Sequence, residues 1–311
     1  MNFKEERVNA HNNWPLRSDF KAEVMLKEKL EANADIKLFQ PIPIVQNVDP
    51  DYQRCVGHLL DALDFLPYRP DNSFDHCFRI IDIAGAPMAP NGGIKGVVQK
   101  LGSKLLQQDR AEWDGIADAL CRAMPLRVYE LLAKRLLQAA LPSASRIEAR
   151  LNPRAEHCFG ARFYSAFISK FTLDASGAVL ADAADRNRAN AAKLLKLYFS
   201  GTRGTRTKPA SDPALDLTVA NNVPDSDRRI EGLLSLLLFT IRNERAHGNV
   251  ISPFRTSKAR LERYESYYFL MLMAYVFAMG TLMLRFQCIT SGSILTGCVE
   301  NIRLQQAFFS E

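Results

Sequence analysis

From Asp51 onward, apolar residues recur along the chain at three- and four-residue spacings, the repeat that turns one face of an α-helix toward a core. The segments "DYQRCVGHLLDALDFL", "NSFDHCFRIIDIA", "IKGVVQKLGSKLLQQ", "RAEWDGIADALCRAM", "LRVYELLAKRLLQAAL" and "DAADRNRANAAKLLKLYF" all carry it, with Pro or Gly between most of them. The pattern predicts an all-α fold. Residues 1–50 read differently. A charged helix over about 19–34 leads into the proline-broken, extended piece "IKLFQPIPIVQNVDP", so this part is expected to be a small N-terminal arm ahead of a helical domain at 51–311.

The helical pattern stops between Ser200 and Asp227, where Gly, Pro, Ser, Thr and Asn crowd together and large apolar residues thin out. This predicts a long flexible loop at 200–227, and it carries Arg203, Arg206 and Lys208. Pro224 to Asp227 then supply helix-start chemistry for a helix over about Arg228–His247, and Gly248 is a natural stop. Ile230, Leu233, Leu234, Leu237, Leu238 and Ile241 form one stripe, while Leu236 and Phe239 make the opposite side apolar too. A helix apolar on both sides is buried on both.

This apolar run ends in "RNERAHG", and the helical wheel sharpens the contrast. At 100° per residue Glu244 continues the stripe of Leu233, Leu237 and Ile241, and Asn243 and His247 share the opposite side. Polar groups on buried faces need partners or a function. Arg242 and His247, five residues apart, diverge by about 140° on a straight helix and do not converge on one ligand unless the last turn distorts or a second copy contributes.

Composition adds limits. Hydrophobic residues make up 47% and charged residues 24%, which suits a chain with a buried core rather than a disordered chain or a polytopic membrane protein. The net charge of +6 is compatible with a polyanionic partner. Six cysteines without a C-x-x-C pair, and an N-terminus lacking an apolar leader, predict reduced thiols and a cytoplasmic setting.

The run Arg242-Asn243-Glu244-Arg245-Ala246-His247, followed by Gly248, resembles the Arg-Asn-x-x-x-His motif of the HEPN superfamily, helical proteins that include many metal-independent ribonucleases. The segment "LDALDFLPYRPDNSFDHCFRIID", Leu60 to Asp82, resembles the opening helix pair of HEPN domains, so the resemblance covers about 51–311. It implies a HEPN-like helical bundle with a long final core helix, and two motifs that meet across a homodimer or higher even oligomer. It also implies RNA as the partner, with no cofactor and no metal.

Metal-free RNA cleavage needs a base for the ribose 2′-hydroxyl proton, an acid for the leaving 5′-oxygen and positive charge on the phosphorane. On this resemblance two symmetry-related His247 side chains are expected to divide the proton transfers, with two Arg242 guanidiniums clamping the phosphate. An imidazole, with an ordinary pKa of about 6.5, suits proton transfer near neutrality. Asn243 is then expected to orient His247 from one turn back, and Glu244 or Arg245 to hold the opposing copy or the substrate. The expected products are a 2′,3′-cyclic phosphate or 3′-phosphate and a 5′-hydroxyl. The resemblance further implies an antiviral defence (abortive infection) effector or a toxin, restrained by an antitoxin or regulatory partner. Members paired with a nucleotidyltransferase antitoxin often carry Tyr two residues after the histidine; Asn249 stands there in this chain. Two other readings of the residues stay open: a solvated helix end, and a noncatalytic HEPN-fold binding or scaffold protein.

The remaining constellations point elsewhere. "YYFLMLMAYVFAMGTLML", Tyr267 to Leu284, has eighteen residues without a charge and the length of a membrane span, but it reads better as a central bundle helix continuing one that begins near Thr256. His76–Cys77 and His157–Cys158 invite a zinc reading, yet adjacent residues on a helix point about 100° apart and the spacing is not that of a metal site. "IAGAPMAPNGGIKG" lacks the Gly-Lys-Ser/Thr ending of a phosphate loop and reads as a turn. Arg203, Arg206 and Lys208, together with Arg146, Arg150, Arg154 and Arg162, are either a solvated surface or contacts to an RNA backbone.

Overall fold

The computed structural model describes residues 3–204, 212–248 and 252–310. It is all-helical, as the spacing of apolar residues predicts, and among the described residues the only β-pairing is an isolated bridge between Leu173 and Val179. In chain order the helices are α1 (Phe3–Asn12), α2 (Lys21–Ala32), α3 (Pro50–Asp64), α4 (Pro70–Gly85), α5 (Gly93–Gln108), α6 (Arg110–Ala123), α7 (Leu126–Ala140), α8 (Arg146–Ala149), α9 (Leu151–Phe159), α10 (Ala161–Thr172), α11 (Ala183–Arg186), α12 (Arg188–Phe199), α13 (Ser226–Glu231), α14 (Phe239–Ala246), α15 (Leu261–Phe286) and α16 (Ser291–Phe309). Their starts carry the expected chemistry. Asp49 caps α3 by accepting from the Asp51 and Tyr52 amides with Pro50 at the first helical position, and Asp225 caps α13 through the Arg228 amide at 2.9 Å.

The chain divides into two compact units, residues 1–94 with 241–311, and residues 95–240. The N-terminal stretch 1–50 lies in the first unit, and the helical region after it is divided between both.

The first unit is built around α15. Its residues from Ser266 to Met283 are buried without interruption, because this run is apolar on nearly every side and packs on all of them. α15 has the length and composition to cross a membrane, but 83% of its apolar window is buried inside the protein. It packs against α4, α16 and α2. Tyr268 donates from its hydroxyl to the Pro67 carbonyl at 2.6 Å, and Arg285 donates to the Ile83 carbonyl at 2.9 Å and pairs with Asp51. α15 starts at Leu261, later than the sequence pattern suggests, and it is not the final helix, since α16 follows it. The extended stretch after α2 is held by hydrogen bonds. The Gln40 amide donates to the Asn301 side chain at 2.8 Å, which donates back to the Gln40 carbonyl at 2.9 Å, and the Ile42 amide donates to the Tyr275 hydroxyl at 2.7 Å.

The second unit centres on α7, which packs against α12, α9, α10 and α11. An aromatic cluster fills it, with Phe163 and Tyr198 ring centroids 4.3 Å apart and Phe159 against Tyr198 at 5.3 Å. Within 200–227, the described residues include two short 3-10 turns at Pro213–Leu215 and Ala220–Asn222. Leu215 and Leu217 are buried there, and the Gly204 amide donates to the Leu217 carbonyl at 2.9 Å. Arg206, Lys208 and Asn249 lie outside the described residues.

Candidate functional site

The motif sits at the end of a helical stretch that is not one regular α-helix. α13 passes into a π-helical segment at Gly232–Leu238, which passes into α14. In π geometry the backbone bonds run from i to i+5, so the 100° step does not carry through this segment. The expected stripe linking Leu233 and Leu237 to Glu244 is therefore corrected: Leu233 to Leu238 are all buried, whereas Glu244 is half-buried. The sequence permits this because "GLLSLLL" is apolar on every side and favours no helical period.

Gly232 and Arg154 accommodate the π segment. A Cβ at Gly232 would lie 2.4 Å from the Phe199 ring, so only glycine fits there. Arg154 donates to the Ser235 carbonyl and to the Thr240 hydroxyl at 3.1 Å, with its guanidinium 5.2 Å from the centre of the Phe239 ring. Burial pushes this guanidinium below its ordinary range. Arg154 is thus an internal support rather than a solvated or RNA-facing residue, whereas Arg146, Arg150 and Arg162 are exposed. Burial also raises the Glu231 carboxyl, against the lowering effects of His157, Ser235 and Arg154.

The motif residues divide into three groups. Arg242 and Asn243 are half-buried and joined, Arg242 Nη1 donating to Asn243 Oδ1 at 3.1 Å. The Asn243 side-chain oxygen is thus the acceptor for Arg242. Arg245 is turned into the first unit, where it forms a fork on Asp75, Nε to Oδ1 at 2.8 Å and Nη2 to Oδ2 at 2.6 Å, and reaches Asp71 at 3.2 Å. Asp71 is 1% exposed and also receives a two-pronged bond from Arg69. Burial opposes the Arg245 charge, but the hydrogen bonds and charges of Asp75 and then Asp71 outweigh it and hold the guanidinium above its ordinary range.

His247 lies just past α14 and is exposed. Its amide still donates to the Asn243 carbonyl at 3.1 Å, and the Gly248 amide donates to the Arg245 carbonyl at 3.1 Å. Gly248 has φ +67°, the left-handed conformation that ends a helix with little strain only for glycine. Glu244 is half-buried. Arg203, in the second unit, is exposed and donates to the Thr218 carbonyl.

A second cluster has no counterpart among the sequence-based expectations. His58 and Asp61 on α3 meet His76 on α4, and their ligand-type atoms all lie within 4.8 Å of one another. Burial first and the Arg79 charge second lower both imidazoles below their ordinary range. The signal in the sequence is an i,i+3 His–Asp pair on one predicted helix beside a second helix carrying another histidine; the adjacent His–Cys pairs are the more conspicuous pattern. Along α4 the neighbours Asp75, His76 and Cys77 take different directions: toward Arg245, toward His58 and Asp61, and into the core. Cys77 and Cys158 are buried thiols, with Cys77 pushed up to about 12 by desolvation.

No protein-family model, no curated protein and no solved structure matches this chain.

Proposed function

We propose that this protein is a metal-independent endoribonuclease of HEPN type, acting by 2′-hydroxyl attack on RNA at a site completed by a second copy of the chain. The observation that carries the reading is the arrangement of the motif: an exposed His247 stands at a glycine-ended helix terminus, one turn from an Arg242–Asn243 pair, on a helix end anchored by Arg245. An accessible imidazole is able to take and give protons, while Arg242 supplies positive charge for a phosphorane. Arg245 has a positioning role, since its donors are committed to Asp71 and Asp75.

In this reading His247 from one protomer acts as base and the equivalent histidine of the second copy as acid. The protein is then a homodimer or higher even oligomer in the cytoplasm, working as a defence effector or toxin under an antitoxin or regulatory partner. One observation favours a noncatalytic binding or scaffold protein instead: two of the motif's ionisable side chains, Arg242 and Arg245, already have partners inside the chain.

Incubating the purified full chain with total RNA in excess chelator, and mapping the ends formed, tests the proposal. Cyclic or 3′-phosphate ends with 5′-hydroxyls support it. Intact RNA across protein concentrations that span dimerisation favours the scaffold.

A further inference from the structure

We propose that His58, Asp61 and His76 form a binding site for a zinc-type divalent cation, separate from the motif at Arg242–His247. The site joins α3 to α4 on the first unit. His58 Nδ1 and His76 Nδ1 are 3.2 Å apart, His76 Nδ1 is 3.2 Å from Asp61 Oδ2, and His58 Nδ1 is 3.7 Å from that same oxygen. Three donor atoms thus form a triangle around one point.

The size of the triangle selects the ion. Zinc–ligand distances of about 2.0–2.1 Å in tetrahedral geometry put ligand atoms about 3.3 Å apart, within the observed range of edges. An octahedral ion at similar distances requires edges of about 3.0 Å, which the longest edge exceeds by more. Two imidazoles and one carboxylate are a donor set that zinc accepts, and three protein ligands leave the fourth position to solvent.

The burial pattern fits an open site at the surface. His58 and His76 side chains are 23% and 15% exposed, so their rings are fixed between the helices, whereas Asp61 is 54% exposed. The Phe65 ring lies 5.5 Å from the His76 ring and limits its movement. Without a cation, the short Nδ1–Nδ1 approach requires one ring to donate to the other, because two lone pairs repel. A cation satisfies both nitrogens together. Arg79 is exposed and its charge works against the cation, while Asp61 offsets it.

The test uses the full chain, stripped with chelator and dialysed, and titrated with Zn²⁺ alone by calorimetry, then with Co²⁺ by visible absorption. One equivalent should bind, with the intense d–d bands of four-coordinate cobalt. His76→Gln and His58→Gln should weaken binding by about 100-fold or more, and Asp61→Asn by about tenfold, while His157→Gln binds as wild type. Far-UV circular dichroism checks folding, and the exposed position of Asp61 keeps its variant informative if a histidine variant unfolds. The proposal fails if wild type takes up no Zn²⁺ at about 100 µM. It also fails if His157→Gln loses binding while the three cluster variants keep it, or if cobalt shows only the weak bands of a six-coordinate ion.

Discussion

Arg245 and Asp75 meet as a two-pronged ion pair, Nε to Oδ1 at 2.8 Å and Nη2 to Oδ2 at 2.6 Å, which ties the end of α14 to α4. The same guanidinium reaches Asp71, so the motif's helix end rests on two carboxylates of one neighbouring helix.

Removing that guanidinium should cost stability. Arg245→Ala leaves Asp71, 1% exposed, with Arg69 as its remaining cation, and the cost of breaking a buried pair is reduced accordingly to about 2–3 kcal/mol. Arg245→Lys recovers only part, since an ammonium has no fork. Arg242→Ala, which loses one bond to its chain neighbour, should cost below about 1 kcal/mol. Urea denaturation of the three variants distinguishes the anchoring arginine from the one assigned to phosphate.

Two glycines give opposite signs. Gly232→Ala puts a methyl group 2.4 Å from the Phe199 ring and should destabilise the protein by about 1–3 kcal/mol through overpacking. Gly57→Ala, in the interior of α3 with nothing within 4 Å, should stabilise it by about 0.5–1 kcal/mol. Thermal unfolding of both reads the difference.

Glu231 predicts a pH dependence. Burial raises its folded pKa above the ordinary 4.5, so its relative contribution to stability is present below 4.5 and is lost as pH rises through the folded value. Glu231→Gln should therefore be more stable than wild type at neutral pH, and the gain should disappear in acid below 4.5. Denaturant midpoints measured across that range provide the check.

The all-α class was legible because Pro50, Pro70 and Pro125 punctuate apolar repeats of helical period, and α3 to α7 follow those repeats closely. α16 was less visible. It buries Asn301 and Gln305 beside Ile294 and Phe308, so its inward face includes residues that sequence alone assigns to solvent. The π segment was invisible for the reverse reason, as a run of five leucines broken only by Ser235 carries no clear period. The predicted helix through "DAADRNRANAAKLLKLYF" breaks at Asn187, whose side chain donates to the Phe171 carbonyl at 2.8 Å. At the candidate site, the helix end and Gly248 were legible from local chemistry, but the partners of Arg245 lie about 170 residues away in sequence and no local pattern announces them.

In the proposed reaction His247 moves protons during metal-free RNA cleavage. The most direct test is single-turnover cleavage of a mapped RNA in excess chelator by wild type and His247→Ala, with folding and oligomeric state checked in parallel. Wild type should give cyclic or 3′-phosphate and 5′-hydroxyl ends, and the variant should keep its fold and assembly but lose about 100-fold to 10,000-fold in rate. Equal cleavage by the two proteins, or cleavage only with added divalent metal, would contradict the proposal.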